Sequence, residues 1–329
     1  MGKFLEAEKP KQEKFKAPSN SISADARGDG VYRGKSRPFC IPADYAEENL
    51  FPAVRQQAMD YFAAANIKWH DEMDAKPSNL LCSSQVQCVN FLFPFADKPD
   101  TLLWLLKPHF PKIESLVPME SSGGFVSFEW IGLRNYLGER VRNENTRTRG
   151  ANFTSSDAAV MFVRSDGLRQ IVLIEWKYTE AYSRSSFKTS KSGTSRVEIY
   201  RHLLEREDCP LDVQRLSNLE DLFYEPFYQL TRQQLLAHEM ERAHELGADL
   251  VTTLHVAPAV NTDFQRVTSP NLSKFGDSVT EIWQRLLNPT DKFKSLSTEQ
   301  LLGRPPGEYS NGLGDRWSYV TQRYCWLTQ

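Results

Sequence analysis

Residues 156–177 read Ser-Asp-Ala-Ala-Val-Met-Phe-Val-Arg-Ser-Asp-Gly-Leu-Arg-Gln-Ile-Val-Leu-Ile-Glu-Trp-Lys, and this stretch decides the fold. Two apolar, β-branched runs, Ala158–Val163 and Ile171–Ile174, flank Ser165-Asp166-Gly167. Glycine supplies the positive φ that a tight turn needs, so the stretch reads as a β-hairpin. Asp157 opens the first run, and Glu175 and Lys177 close the second. Folding therefore carries Asp157 back beside the Glu-x-Lys end. Residues two apart in a strand share a face, so Glu175 and Lys177 point the same way. A three-residue turn is expected to set Asp157 opposite Lys177 and on its face. A two-residue turn would set it opposite Trp176, facing away. Gly167 suits a three-residue connection or an equivalent bulge, and that is the expected geometry.

Two carboxylates at the ends of adjacent buried strands repel each other and are poorly solvated. A divalent cation relieves both problems. A small number of hard oxygen ligands, with waters completing the shell, suits Mg²⁺ or Mn²⁺. Such an ion polarises a phosphoryl oxygen and lowers the pKa of an attacking water. Lys177, one pleat beyond Glu175, could orient that water or neutralise charge developing on phosphate. The plainer alternative is a hairpin with charged residues at its rim. Against it, Ile171-Val172-Leu173-Ile174 runs straight into Glu175, so the charges end a strand that reads as buried on both faces.

Asp157, followed by Glu175-Trp176-Lys177 at the end of the next apolar strand, resembles the PD-(D/E)xK nuclease superfamily. The chain looks most like bacterial restriction-endonuclease-like proteins, with Phe128-Glu129-Trp130, Tyr136-Leu137-Gly138-Glu139 and Glu175-Trp176-Lys177-Tyr178-Thr179-Glu180 in one order. The likeness covers about Phe125 to Val256. Ser156 stands where the motif has proline. The resemblance implies an α/β fold: a restriction-endonuclease-like mixed β-sheet core flanked by helices, here with an N-terminal helical elaboration. It implies that Asp157 and Glu175 hold the metal and that Lys177 assists hydrolysis. It also implies an extra acid from an early element, for which Glu129 is the candidate and Glu139 the fallback. A carboxylate between Phe128 and Trp130 is unusual for a soluble core; the open alternative is that Glu129 faces water on a half-exposed strand. In the superfamily the helix after the Glu-x-Lys strand often aims a polar residue at the site, and Gln229 and Gln233 are candidates here. Simple helix-end hydrogen bonding is the alternative for both.

The chain has 329 residues, a formal net charge of −2 and ordinary hydrophobic content. A polycation of the histone kind is excluded, so any nucleic-acid contact must come from local patches. The five cysteines, at 40, 82, 88, 209 and 325, lack zinc-site spacing and fit a reduced, cytoplasmic setting. No apolar run approaches a membrane span, and the Lys-rich start lacks a secretory apolar core. His238-Glu239-Met240-Glu241-Arg242 fails as a zinc-protease motif, because position 242 is arginine.

Four segments are expected. Residues 1–30 are polar and read as a disordered basic tail. Residues 31–112 carry helical patterns over 43–70, 83–93 and 97–106, with Phe91, Phe93, Trp104 and Phe110 as core aromatics. Residues 113–260 form the nuclease-like core: two strands, or a strand and a turn, over 113–119 and 125–130, the hairpin, a long helix over 222–246 and a strand over 248–258. Residues 261–329 read as a helical cover, with patterns near 279–287, 298–302 and 317–326. Arg142, Arg147 and Arg149 lie just upstream of Asp157, and Arg184, Lys188 and Lys191 lie just after Lys177. Arginine offers bidentate donors to phosphate, so both groups are candidate nucleic-acid contacts; a solvated charged loop is the bland alternative. The expected activity is metal-dependent endonucleolytic hydrolysis, with double-stranded DNA as the partner and no membrane contact. An RNA or tRNA nuclease, and a non-catalytic nucleic-acid-binding or interaction protein on the same core, stay open. A homodimer is compatible with the sequence but not fixed by it.

Overall fold

A computed structural model describes residues 2–71, 75–139, 147–151, 153–190, 193–305 and 313–328. Its centre is a mixed six-stranded sheet. Strand β3 (Ile113–Val117) and strand β4 (Ser127–Trp130) both pair antiparallel with β5 (Ser156–Arg164), β3 along its C-terminal half and β4 along its N-terminal half. Strand β6 (Arg169–Trp176) returns antiparallel to β5. Strand β7 (Leu250–Ala257) lies parallel to β6, and β8 (Phe293–Ser297) parallel to β7. The strand over 293–297 corrects the expectation that residues 261–329 are helical. Its five residues alternate Phe293, Ser295 and Ser297 with Lys294 and Leu296, which carries little strand signal without the β7 edge that pairs it.

The hairpin has the expected three-residue turn, since Val163 pairs with Arg169 and the Arg164 N–H bonds the Leu168 carbonyl at 2.9 Å. Gly167 takes φ +82° there. The register differs from expectation by two residues. Ala158 pairs with Ile174, so Asp157 falls opposite Glu175 rather than Lys177. A shift of two preserves the face, so the three charged residues still share a side.

One apolar cluster lies on the face carrying Ala158, Val160, Phe162, Ile174 and Trp176. Helices α2 (Arg55–Ala64), α3 (Ser84–Leu92), α4 (Pro99–Leu106), α8 (Thr298–Leu302) and α9 (Gly314–Arg323) contribute to it. The other face, with Ala159, Met161, Ile171 and Leu173, packs on α5 (Arg196–Leu204), α6 (Phe227–Arg242) and α7 (Val279–Leu286). With helices on both faces, the middle of β6, Ile171–Ile174, is apolar on both sides, as a doubly covered strand requires. Phe91 is fully buried, and Phe93, Trp104 and Phe110 pack against the same core. No helix among the described residues is long and apolar enough to cross a membrane.

Two local expectations fail. The segment expected as a disordered tail over 1–30 is ordered in its described residues, 2–30: Lys3–Lys16 forms helix α1. Its buried stripe is Phe4, Glu8, Gln12 and Phe15, and the two polar members hide the periodicity. Each is satisfied inside. The Glu8 carboxylate accepts from Tyr178 Oη at 2.7 Å and Trp326 Nε1 at 3.1 Å, while Gln12 accepts from Arg323 Nε at 3.0 Å. Phe15→Ala is expected to cost about 3 kcal/mol, the loss typical of a truncated core phenylalanine. A urea midpoint equal to that of the wild type would contradict this docking.

The segment 31–112 is also not wholly helical. Strands β1 (Gly30–Tyr32) and β2 (Lys35–Arg37) form a separate hairpin. Arg33 and Gly34 turn it with φ values of +51° and +72°, the two positive values a tight two-residue connection needs.

Candidate active site

The site forms where β5 and β6 reach the same edge of the core. Trp176 buries its ring on the α3 face and donates its indole N–H to Gln87 Oε1 at 2.9 Å. That anchors the strand's phase, so Glu175 and Lys177 must point to the opposite face. The Lys177 N–H bonds the Val256 carbonyl at 2.8 Å, which extends the β6–β7 pairing through the lysine. Ser156 closes the β5 end by donating its hydroxyl toward the carbonyls of Ile174, at 2.8 Å, and Ala158, at 2.9 Å.

Asp157 Oδ2 accepts the Trp176 backbone N–H at 2.6 Å. Glu175 is 3 % exposed and Lys177 5 %, whereas Asp157 is only half-buried and is the most open of the three. The two Glu175 oxygens are divided between donors: Oε1 takes the Lys177 ammonium and Oε2 the Gln233 amide, both in close contact. Gln233 also reaches the Ser155 carbonyl at 3.2 Å. Helix α6 thus joins Gln233 to the pair, while Gln229 accepts from Tyr182 Oη at 3.4 Å instead.

The electrostatics are those of a site short of positive charge. Desolvation, then the Glu175 charge, push the Asp157 carboxyl well above the usual carboxylate range; Lys177 pulls the other way. Burial alone would lower Lys177, but Glu175, Tyr182 and Asp157 outweigh it and hold the ammonium well above its ordinary pKa. Among the described residues no three His, Cys, Asp or Glu side chains are grouped to hold a metal. An ion between Asp157 and Glu175 would therefore complete its shell with water or phosphate. That donor set, few and hard, fits Mg²⁺ or Mn²⁺.

Glu129 does not face water. It is 2 % exposed and lies opposite Asp157, between the pairs Phe128–Ala158 and Trp130–Ser156. Its φ is +50°, an uncommon conformation for a residue other than glycine. The carboxylate accepts from Gln85 Nε2 at 2.7 Å and Ser155 Oγ at 2.8 Å, and His70 Nε2 lies at 3.3 Å. Burial raises its pKa, but these partners, His70 first, outweigh that and hold it below the usual value. Glu139 is buried elsewhere and accepts from the Thr154 N–H and Tyr200 Oη, each at 2.7 Å.

His70 gives a pH handle. Burial opposes its charge, yet Glu129, Asp157 and Asp71 raise its pKa to about 9. A histidine raised above its unfolded value stabilises the fold fully below about 6.5, and the contribution is lost as pH rises through about 9. Between those limits the wild type should lose stability relative to His70→Ala. Denaturant midpoints of the two proteins that stay parallel from pH 6 to pH 9.5 would contradict it.

The basic candidates divide. Arg147 donates to the carbonyls of Gly132, at 3.1 Å, and Ile131. Arg149 ion-pairs with Glu120 at 3.0 Å and bonds Tyr61 Oη at 2.9 Å and the carbonyls of Glu129 and Phe128. Both guanidinium groups therefore tie the segment leading into β5 to its neighbours, which does not leave them to phosphate. Arg184 is exposed, and Lys188 is exposed with an ion pair to Glu220 at 2.9 Å. Arg142 and Lys191 lie outside the described residues.

Three residues of the neighbourhood were not found by reading the sequence. Gln85 and His70 serve Glu129 from α3 and from the loop before it. His255 of β7 pairs in register with Glu175, is 2 % exposed and stacks on Phe264 with ring centroids 4.5 Å apart. Burial, then the Lys177 charge, lower its pKa to about 3, so it is neutral. In sequence it is one histidine in an apolar strand, and only the parallel register sets it beside Glu175.

A family model described as "Restriction Endonuclease associating with ARP" matches residues 9–324. No curated protein and no solved structure matches.

Proposed function

Because the chain belongs to the family described as restriction endonucleases associating with ARP, we propose that it is a metal-dependent endonuclease that hydrolyses phosphodiester bonds in DNA. The observation that carries this reading is that Asp157 and Glu175 lie one step beyond the Ala158–Ile174 pair, on one face at one strand end, with Lys177 in contact with Glu175. Asp157 and Glu175 would hold Mg²⁺ or Mn²⁺, which when bound polarises a phosphoryl oxygen and acidifies water. Lys177, held as an ammonium, donates hydrogen bonds toward the attacking water and offsets charge on the phosphate. Gln233 fixes the Glu175 carboxylate, and so fixes the direction in which its free lone pairs point. Glu129, held by Gln85 and ion-paired with His70, supplies a third carboxylate beside Asp157. Arg184 and Lys188 are the described residues proposed to meet the nucleic-acid backbone. A reduced cytoplasm is the proposed setting, and all five cysteines are free thiols.

The test incubates the purified protein with plasmid DNA and, in parallel, with RNA, each with Mg²⁺ and with EDTA. Cleavage of plasmid that requires Mg²⁺ is expected. Cutting of RNA alone would change the substrate, and no cutting of either would remove the enzymatic reading. A second measurement concerns Arg184 and Lys188. Replacing both by alanine should weaken DNA binding and make the salt slope about two units shallower. An unchanged slope would remove them from the interface.

A further inference from the structure

A cavity of about 460 Å³ shares a wall with the acid cluster, and no part of the proposed hydrolysis uses it. Gln85 and His70, both partners of Glu129, line it, and so do Thr179 and Glu180, which follow Lys177 in the chain. Its opposite wall comes from the β1–β2 hairpin and the segment after it: Tyr32, Arg33, Arg37 and Phe39. Its volume lies in the range of sites that enclose small organic ligands, roughly 300–1,000 Å³.

The charge in this cavity is unbalanced. Its two acids are already engaged by the fold. Asp71 accepts from Tyr32 Oη at 3.1 Å and Ser78 Oγ at 2.5 Å; Glu180 accepts from the Tyr178 N–H at 2.6 Å and from Ser84. Arg33 and Arg37, by contrast, form no ion pair among the described residues and rest against aromatic rings: Arg33 lies 5.2 Å from the Tyr32 centroid and Arg37 6.0 Å from that of Phe39. Guanidinium groups beside aromatic faces recognise one kind of chemistry well, a planar base carrying a phosphate. The base stacks, and the planar cation meets the phosphate oxygens. The turn at Arg33-Gly34 holds these groups on a short, fixed hairpin.

We infer that this cavity receives one unpaired nucleotide of the substrate strand, its base against Phe39 and Tyr32 and its phosphate against Arg33 and Arg37. The inference rests on the nuclease reading for its substrate, and it makes that reading narrower. Gln85 lines the cavity and donates to Glu129 at 2.7 Å, and Thr179 and Glu180 follow Lys177 into its wall, so a strand whose nucleotide enters the cavity passes close to the acid cluster. Duplexes in which that nucleotide lacks a pairing partner should bind best, since unstacking without unpairing costs less.

The experiment uses full-length protein in EDTA, so that cutting is silent. The probes are 2-aminopurine-labelled DNA duplexes, either fully paired or with the labelled base opposite an abasic site. Wild-type protein should brighten the label and bind the abasic-partner duplex about tenfold tighter than the paired one. Arg33→Ala/Arg37→Ala and Phe39→Leu should each remove the brightening and most of that preference, with thermal unfolding unchanged. Equal affinities and a silent label in wild type would overturn the inference, even if Mg²⁺-dependent cutting persists. Brightening lost in both variants would sustain it even if no cutting is ever seen, so the two readings fail separately. Free dAMP is the remaining arm: saturable dAMP binding with no strand signal assigns the cavity to mononucleotides and overturns the strand assignment.

Discussion

Asp157→Asn is expected to reduce cleavage by roughly a thousandfold or more while making the metal-free protein more stable at neutral pH. The loss follows from charge, because the amide cannot serve as an anionic ligand. Shape is kept, since an Asn oxygen can still accept the Trp176 N–H now bonded at 2.6 Å. The gain in stability follows from the direction of the pKa shift. Desolvation and the Glu175 charge raise the folded Asp157 pKa well above its ordinary value. A group raised in this way stabilises the fold below its unfolded pKa, about 3.9 for Asp, and that contribution disappears as pH rises through the folded value. The wild type should therefore weaken across that window, and a side chain that cannot ionise should not. Added Mg²⁺ should restore the wild type selectively, because a ligand that binds only the folded state stabilises it by mass action. Denaturation in EDTA from pH 4 to pH 8, repeated with Mg²⁺, reads both effects. Near-wild-type cutting by this variant would remove Asp157 from the mechanism. A variant less stable than wild type at every pH would remove the electrostatic account.

Lys177→Ala should have the largest structural effect of any single change at the site. It strips Glu175 of the cation in contact with it and leaves a carboxylate 3 % exposed, opposite Asp157, with Gln233 alone among the described residues to answer it. Removing one partner of a buried ion pair costs about 3–5 kcal/mol, chiefly because the other charge stays buried alone. Replacing both partners should cost less than the single change, so Glu175→Gln/Lys177→Ala is expected to recover part of the loss. Cleavage should fall roughly a hundredfold or more in the single variant, since a donor aimed at developing negative charge is lost. Urea unfolding of the two singles and the double gives the coupling. Additive singles would mean that the lysine and the glutamate do not act as a pair.

Much of this site could be read from local sequence, for a physical reason. A hairpin is set by its own turn and its own apolar alternation, so Asp157, Glu175 and Lys177 were bound to meet once Gly167 turned the chain. The partner of Asp157 was misplaced by two residues, yet strand parity made the conclusion about faces immune to that error. Gln233 was legible in the same way, because a helical stripe extended from Leu236 and Met240 reaches it. The arginines before β5 were read only by charge. Charge does not say whether a guanidinium meets phosphate or four nearby backbone and side-chain oxygens, as Arg149 does.

By itself, then, the sequence determined the central hairpin, the two acids and the lysine it gathers, and the helix and strand that follow. Each of these depends on contacts between residues near in the chain or on a simple period. Only the tertiary structure decided that Glu129 is buried among Gln85, Ser155 and His70, that His255 stands beside Glu175, and that α1 is docked rather than free. Those outcomes depend on partners that are mostly tens to hundreds of residues away, such as Tyr178 and Trp326 for Glu8. A polar side chain looks the same in sequence whether water or a distant donor satisfies it, and packing alone makes that choice.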